Sequence, residues 1–199
     1  MQAHKISVKI FAASDPFEPA AFVPVFHHWI QNHSVENHLL IDVADYAHVP
    51  AGPSTVLVAA EAHFYADRGD NRLGLLYSRL LPVPGSFGQR LTHAVTEALK
   101  ACTRLEQEPE FGGRLKFRGD ELAIKIHDRL LAPNTLETFA AVRGDVEALC
   151  KKLYAGKPFT IEQRNAGGQT LFEVTIKASE SPGVAALLGR VEAGAPAGV

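Results

Sequence analysis

Basic excess, cysteine and long apolar runs are all scarce in this chain, and each scarcity removes a class of function. Lys and Arg number 20 against 22 Asp and Glu, for a net charge of -2 over 199 residues. Nucleic-acid binders carry a clear basic excess, because phosphate contacts supply most of their non-specific affinity. No Lys/Arg run is present either, so nucleic acid is disfavoured as a partner. The two cysteines, Cys102 and Cys150, form no Cys-x-x-Cys pair and are too few for a disulfide-stapled scaffold. Both fall in phase with apolar neighbours and read as buried free thiols on helices. No stretch approaches the roughly 18 apolar residues of a membrane span. The start, Met1 to Phe11, has neither a long apolar run nor a small-residue cleavage signal, so a cytoplasmic protein is expected.

Catalytic signatures are missing as well. The sequence contains no Gly-x-Gly-x-x-Gly, no phosphate-binding Walker loop, no His-Glu-x-x-His and no Gly-x-Ser-x-Gly. The cofactor and the metal content are therefore both left unknown. Nine histidines are present. His27, His28, His33 and His38 cluster, but no pair among them has the i, i+4 spacing at which a helix presents metal ligands side by side. They read as a solvated helix end.

What is there is ordinary globular material, with 46% hydrophobic and 21% charged residues. One compact domain over 1–193 is expected, followed by a loose tail, 194–199. Ile6, Val8 and Ile10 alternate with Lys5, Ser7 and Lys9, as in a strand with one dry face. Phe22, Phe26 and Ile30 form a helical stripe, whose start Pro19 and Pro24 delay or kink. Strands follow over Leu39–Val49, Thr55–Ala66 and Leu73–Leu81. Ser86 with Gln89 makes a capping box for a helix running to about Leu105. Leu115–Phe117 and Leu122–Asp128 read as a hairpin around Arg118-Gly119-Asp120-Glu121. A helical region follows from Pro133-Asn134-Thr135 to about Tyr154, with Asn134 as a cap and Gly144-Asp145 as a break. A last hairpin, Phe159–Gln163 with Leu171–Ala178, precedes a short terminal helix.

The fold class expected is α+β, with a mainly antiparallel sheet or sheets packed against helices. Residues 5–66 and 121–178 both read strand, helix, strand, strand. Their opening strands match in character, Ile6-Ser-Val-Lys-Ile against Leu122-Ala-Ile-Lys-Ile. This pattern suggests two pseudo-repeated βαββ units related by a twofold axis, with an exposed sheet edge able to pair a second copy as a homodimer.

Candidate chemistry falls on the first hairpin. Strand alternation groups Asp42, Tyr46 and His48 on one face and Glu61, His63 and Tyr65 on another. A turn centred on Ala51-Gly52 sets Asp42 opposite Glu61, with His63 one pleat along. Asp42, Glu61 and His63 are thus the catalytic candidates, as a metal-binding or an acid/base set. Tyr46, Tyr65, Arg72 and Tyr77 are the ligand-binding candidates. The third strand contributes either Tyr77 or the pair Arg72 and Ser78, depending on its register. An antiparallel sheet ordinarily has one wet face, so the same residues need no function. The reading preferred is a soluble, non-catalytic module binding a small molecule or a protein partner. The alternative is a metal-assisted or acid/base enzyme using Asp42, Glu61 and His63.

Overall fold

The computed structural model describes residues 1–46, 55–166 and 169–193. His48, the Ala51-Gly52 and Gly167-Gly168 turns and the tail 194–199 lie outside the described residues. Among the described residues, eight strands form one sheet: β1 Ile6–Ala12, β2 Leu40–Asp45, β3 Thr55–Ala59, β4 Ala62–Asp67, β5 Gly74–Arg79, β6 Phe117–Ile126, β7 Phe159–Gln163 and β8 Phe172–Ala178. Their spatial order is β2-β3-β4-β5-β1-β6-β8-β7, and every neighbouring pair is antiparallel. Four α-helices accompany them in the described residues: α1 Phe22–Gln31, α2 Phe87–Leu105, α3 Leu136–Leu153 and α4 Val184–Glu192. The α+β class expected from the sequence is the class observed.

Strand alternation splits the sheet into two unlike faces. Ile6, Val8 and Ile10 of β1, Phe64 of β4, Leu75 and Tyr77 of β5, Leu122, Ile124 and Ile126 of β6 and Val174 and Ile176 of β8 point one way. All of them join the helices in a single buried cluster. α2 lies across β1 and β5 and packs on α3 and α4. Its stripe Leu91, Val95, Ala98, Cys102 and Leu105 is fully buried, and burial stabilises each large apolar side chain by about 1.5–3 kcal/mol. Ser86 and Gln89 form the expected capping box. Cys102 and Cys150 are buried free thiols.

The other face carries Ser7, Lys9 and Phe11 of β1, His63, Tyr65 and Asp67 of β4, Ser78 of β5, Lys125 and Glu121 of β6 and Glu173 of β8. None of these residues belongs to the helix-side cluster. The β4–β5 tip folds across part of this face. Lys9, 1% exposed, forms an ion pair with Asp67 and donates to the carbonyls of Gly69 at 2.7 Å and Arg72 at 2.9 Å. Lys9 was expected on a wet face, and it is dry because this tip supplies three acceptors for its ammonium group.

Several local expectations are corrected. The strand expected over Thr55–Ala66 is two strands, β3 and β4, turning at Ala60-Glu61. The hairpin expected around Arg118-Gly119-Asp120 is one continuous strand, β6. A Cβ on Gly119 would sit 1.6 Å from the Pro182 carbonyl oxygen, so this glycine serves a close backbone approach rather than a turn. α3 runs unbroken through Gly144-Asp145 and is capped by Thr135. Asn134 is instead buried and donates to Arg164 O, Asn165 O and the Thr170 hydroxyl at 2.9–3.1 Å, tying α3 to the β7–β8 connection. The Pro19 segment forms a short 3-10 turn, and α1 begins only at Phe22. Residues 121–178 hold the expected strand, helix, strand, strand order, whereas 5–66 hold one strand more, because of the extra turn at Glu61.

Candidate functional site

The β3–β4 turn changes which hairpin residues meet. Asp42 pairs with Val58 instead of Glu61, after a bulge between Leu40 and Asp42. Val58 in turn pairs with His63. Asp42 and His63 thus share a face but stand two strands apart, roughly 10 Å at ordinary strand spacing. The exposed Asp42 carboxylate accepts from the Val43 amide at 2.8 Å. Glu61 sits in the turn, and its carboxylate accepts the Leu39 amide at 2.9 Å. The three residues therefore do not converge in the register the sequence suggested. Among the described residues, no three His, Cys, Asp or Glu side chains are grouped to hold a metal ion.

The ligand-binding candidates separate likewise. Tyr65 stays beside His63, with its hydroxyl 3.1 Å from His63 Nδ1. Burial, then the nearby Tyr46 and Asp67, raises the Tyr65 phenol above its ordinary value. Arg72 forks onto both oxygens of Glu121 at 2.9 and 2.8 Å and lies 3.9 Å over the Phe11 ring. Tyr77 points to the helix side, and Ser78 takes its place on the open face.

A row of hydrogen-bonding side chains crosses that open face. The pairings His63–Ser78, Ser78–Ser7, Ser7–Lys125 and Lys125–Glu173 set them side by side. Ser7 Oγ, fully buried, lies 2.8 Å from Ser78 Oγ and 2.8 Å from His127 Nε2. His127 as a residue is exposed, with Nε2 turned inward to Ser7. Burial of the ring edge, then Lys125 and Lys5, holds the imidazole below its ordinary value of 6.5. Burial lowers His63 as well. Beyond Lys125, Arg164 bonds Asp70 at 2.9 Å and Glu173 at 3.1 Å, closing the row with compensated charge.

On the helix side, Tyr77 belongs to a second polar group. Burial pushes its phenol up to about 12. Its hydroxyl lies 3.4 Å from Nε2 of His38, whose Nδ1 donates to the Glu36 carbonyl at 3.0 Å. The His38 ring packs edge-on against Phe64 and Tyr77. Glu97 of α2 reaches the same place, its Oε2 3.7 Å from His38 Nδ1. Its other oxygen accepts from Lys100 at 3.3 Å. Above Glu97 opens a cleft of about 290 Å³. Ser34, Val35 and Glu36 from the α1–β2 loop, Lys100, Ala101 and Arg104 from α2, and Leu188 and Glu192 from α4 form its walls. Among the described residues, the buried Ser34 Oγ has no hydrogen-bond partner.

No family model, curated protein or solved structure matches this chain. The two sites therefore rest on geometry alone. Sequence reasoning missed Glu97 because it reads as one more polar residue of an amphipathic helix. It missed Ser7 and His127 because their contact spans 120 positions of the chain. The alternation of Ser7 with Ile6 and Val8 was the one available signal, since it placed Ser7 opposite the helix-side face.

Proposed function

We propose that the protein is a binding module and that a small molecule occupies the cleft between α2, α4 and the α1–β2 loop. The observation that carries this reading is the Glu97 side chain, 6% exposed, at the floor of an open cleft. A buried carboxylate is costly unless partnered. Here the Lys100 ammonium at the rim is its charged partner, and the His38 ring lies behind it. Leu188 and Ala101 supply apolar wall, while Lys100, Arg104 and the Ser34 hydroxyl supply orienting polar groups, the mixture that ligand pockets use. The volume suits a compact polar molecule rather than a large cofactor.

The test is NMR titration of the full chain with a set of small water-soluble compounds. Saturable shifts of the Glu97, Lys100 and Leu188 resonances, lost in Leu188→Trp, are the expected result. A set that leaves those resonances unmoved, or binding unaffected by the plug, refutes the reading. No observation favours the acid/base set of Asp42, Glu61 and His63 over it, because the Glu61 carboxylate is engaged with the Leu39 amide.

Two further expectations stand within this proposal. The pairing of Val8 with Ile124 supports an internal duplication, because a twofold axis through that pair lays Ile6–Ile10 on Leu122–Ile126. Superposition of α1 on α3 under the same rotation is its test. The outward edge of β2, with Leu39 and Ile41 exposed, supports a homodimer. Light scattering over a range of concentrations tests it, and a monomer mass throughout overturns it.

A further inference from the structure

The open face holds a chemistry that the cleft does not. Ser78 is half-buried, while Ser7 beneath it is fully buried. Oxygen-to-oxygen and oxygen-to-nitrogen distances of 2.8 Å link Ser78, Ser7 and His127 in a continuous chain. Hydroxyl protons rotate, so this chain can run from Ser78 through Ser7 to Nε2 whenever that nitrogen is unprotonated. A nucleophile within hydrogen-bond reach of a base is the diagnostic arrangement for covalent catalysis. In this case one hydroxyl intervenes, and the outer hydroxyl is the one a substrate can reach. His63 stands directly across from Ser78 on β4, and its ring is tied to Tyr65. Lys5, next to the His127 ring, adds positive charge of the sign that favours a developing oxyanion, while Lys125 beside Ser7 is ion-paired with Glu173 at 3.4 Å.

We propose that Ser78 is a nucleophile that accepts the acyl group of small activated esters, with Ser7 relaying its proton to His127. In the acylation step a bond forms between Ser78 Oγ and the acyl carbon, and the bond from that carbon to the alcohol oxygen breaks. The Ser78 proton passes to Ser7 as the Ser7 proton passes to His127 Nε2, and the imidazolium returns a proton to the leaving oxygen. In the second step a water oxygen bonds to the acyl carbon as its proton passes through Ser7 to His127 Nε2; the bond from that carbon to Ser78 Oγ then breaks, and the proton returns through Ser7 to Ser78, releasing the acid. Ser78 is the catalytic residue, and Ser7 is a positioning residue acting through it.

The experiment is labelling of the full-length protein with a fluorophosphonate probe, followed by intact-mass and peptide mass spectrometry, alongside release of nitrophenol from p-nitrophenyl acetate. One adduct on Ser78 is expected, absent from Ser78→Ala and retained when the exposed Ser179, just past β8, is replaced in Ser179→Ala. His127→Gln should slow labelling and ester turnover by roughly a hundredfold, the scale of a lost general base. Because His127 is exposed, that variant is expected to keep its fold, which circular dichroism checks. Ser7→Ala should lose labelling and Ser7→Thr, which keeps the hydroxyl, should recover it. No adduct, an adduct on another residue, or an undiminished rate in His127→Gln overturns the proposal. The site and the cleft lie on opposite faces of the sheet, so a negative result leaves the binding reading standing.

Discussion

His63, His93 and His127 share one electrostatic property. In each, burial is the largest influence, and it holds the imidazole below its ordinary value of 6.5. The unfolded chain therefore takes up more protons than the folded one as pH falls through 6.5, and stability falls with it. Above 6.5 these rings are neutral in both states and contribute no slope. A second loss has the opposite origin. Arg164 beside Asp70, Arg118 beside Asp120 and Arg72 beside Glu121 hold those carboxyls below their ordinary values of 3.8, 3.8 and 4.5. Their stabilisation is present above those values and disappears as pH drops through the lower, folded-state values. Urea denaturation should show a lower midpoint at about pH 5 than at about pH 7.5, and a further decline below about pH 4. Replacing His63, His93 and His127 together by Gln should flatten the first limb and leave the second. An unchanged midpoint between the two higher pH values would show that the inward edges of these rings do not set the first limb.

At the level of the element, local chemistry explains what could be read beforehand. α2 was legible because its stripe, its Ser86 cap and its Gln89 partner agree with one another. The faces of β1 and β4 were legible from simple alternation, which is why His63 and Tyr65 were placed together correctly. The β3–β4 turn was not legible, since Ala60-Glu61 contains no Gly, Pro or Asn and the alternation runs through it unbroken. That turn is made by distant partners. The Leu39 carbonyl accepts the Ala60 amide at 3.0 Å, and the Glu61 carbonyl accepts the Leu80 amide at 3.0 Å. The Glu61 carboxylate accepts the Leu39 amide. Missing that one turn displaced Asp42 from Glu61 and dissolved the expected catalytic set. Glu61→Ala should therefore cost about 0.5–1.5 kcal/mol of folding stability, the usual net value of one hydrogen bond, because this contact is solvent-exposed. Glu61→Gln, which keeps an acceptor, should recover most of it. Chemical denaturation measures both, and a wild-type midpoint in Glu61→Ala would show that the turn does not depend on this contact.

For the molecule as a whole, the two faces of the sheet differ in kind, one apolar and covered by helices, the other lined with polar side chains. The helix side joins residues from all four helices in one apolar cluster, and it was legible in outline as an α+β core. The cleft and the serine–histidine row were not, because each collects residues from segments far apart in the sequence. No helix among the described residues is long and apolar enough to cross a membrane.

The sheet order also bears on how the chain is made. β1 is an interior strand, hydrogen-bonded to β5 on one side and β6 on the other. Translation delivers β1 first and β6 only after Phe117. At roughly 5–20 residues per second, one apolar-backed edge of β1 waits several seconds or more for its cover. A fragment ending after α2, residues 1–105, keeps that edge permanently open and should form large aggregates in sedimentation analysis where the full chain forms nothing beyond a dimer. If the fragment is dispersed as well, β1 has another guardian. If it clumps, the nascent chain needs a chaperone during those seconds, and slowing the ribosome before β6 would lower the yield of folded protein.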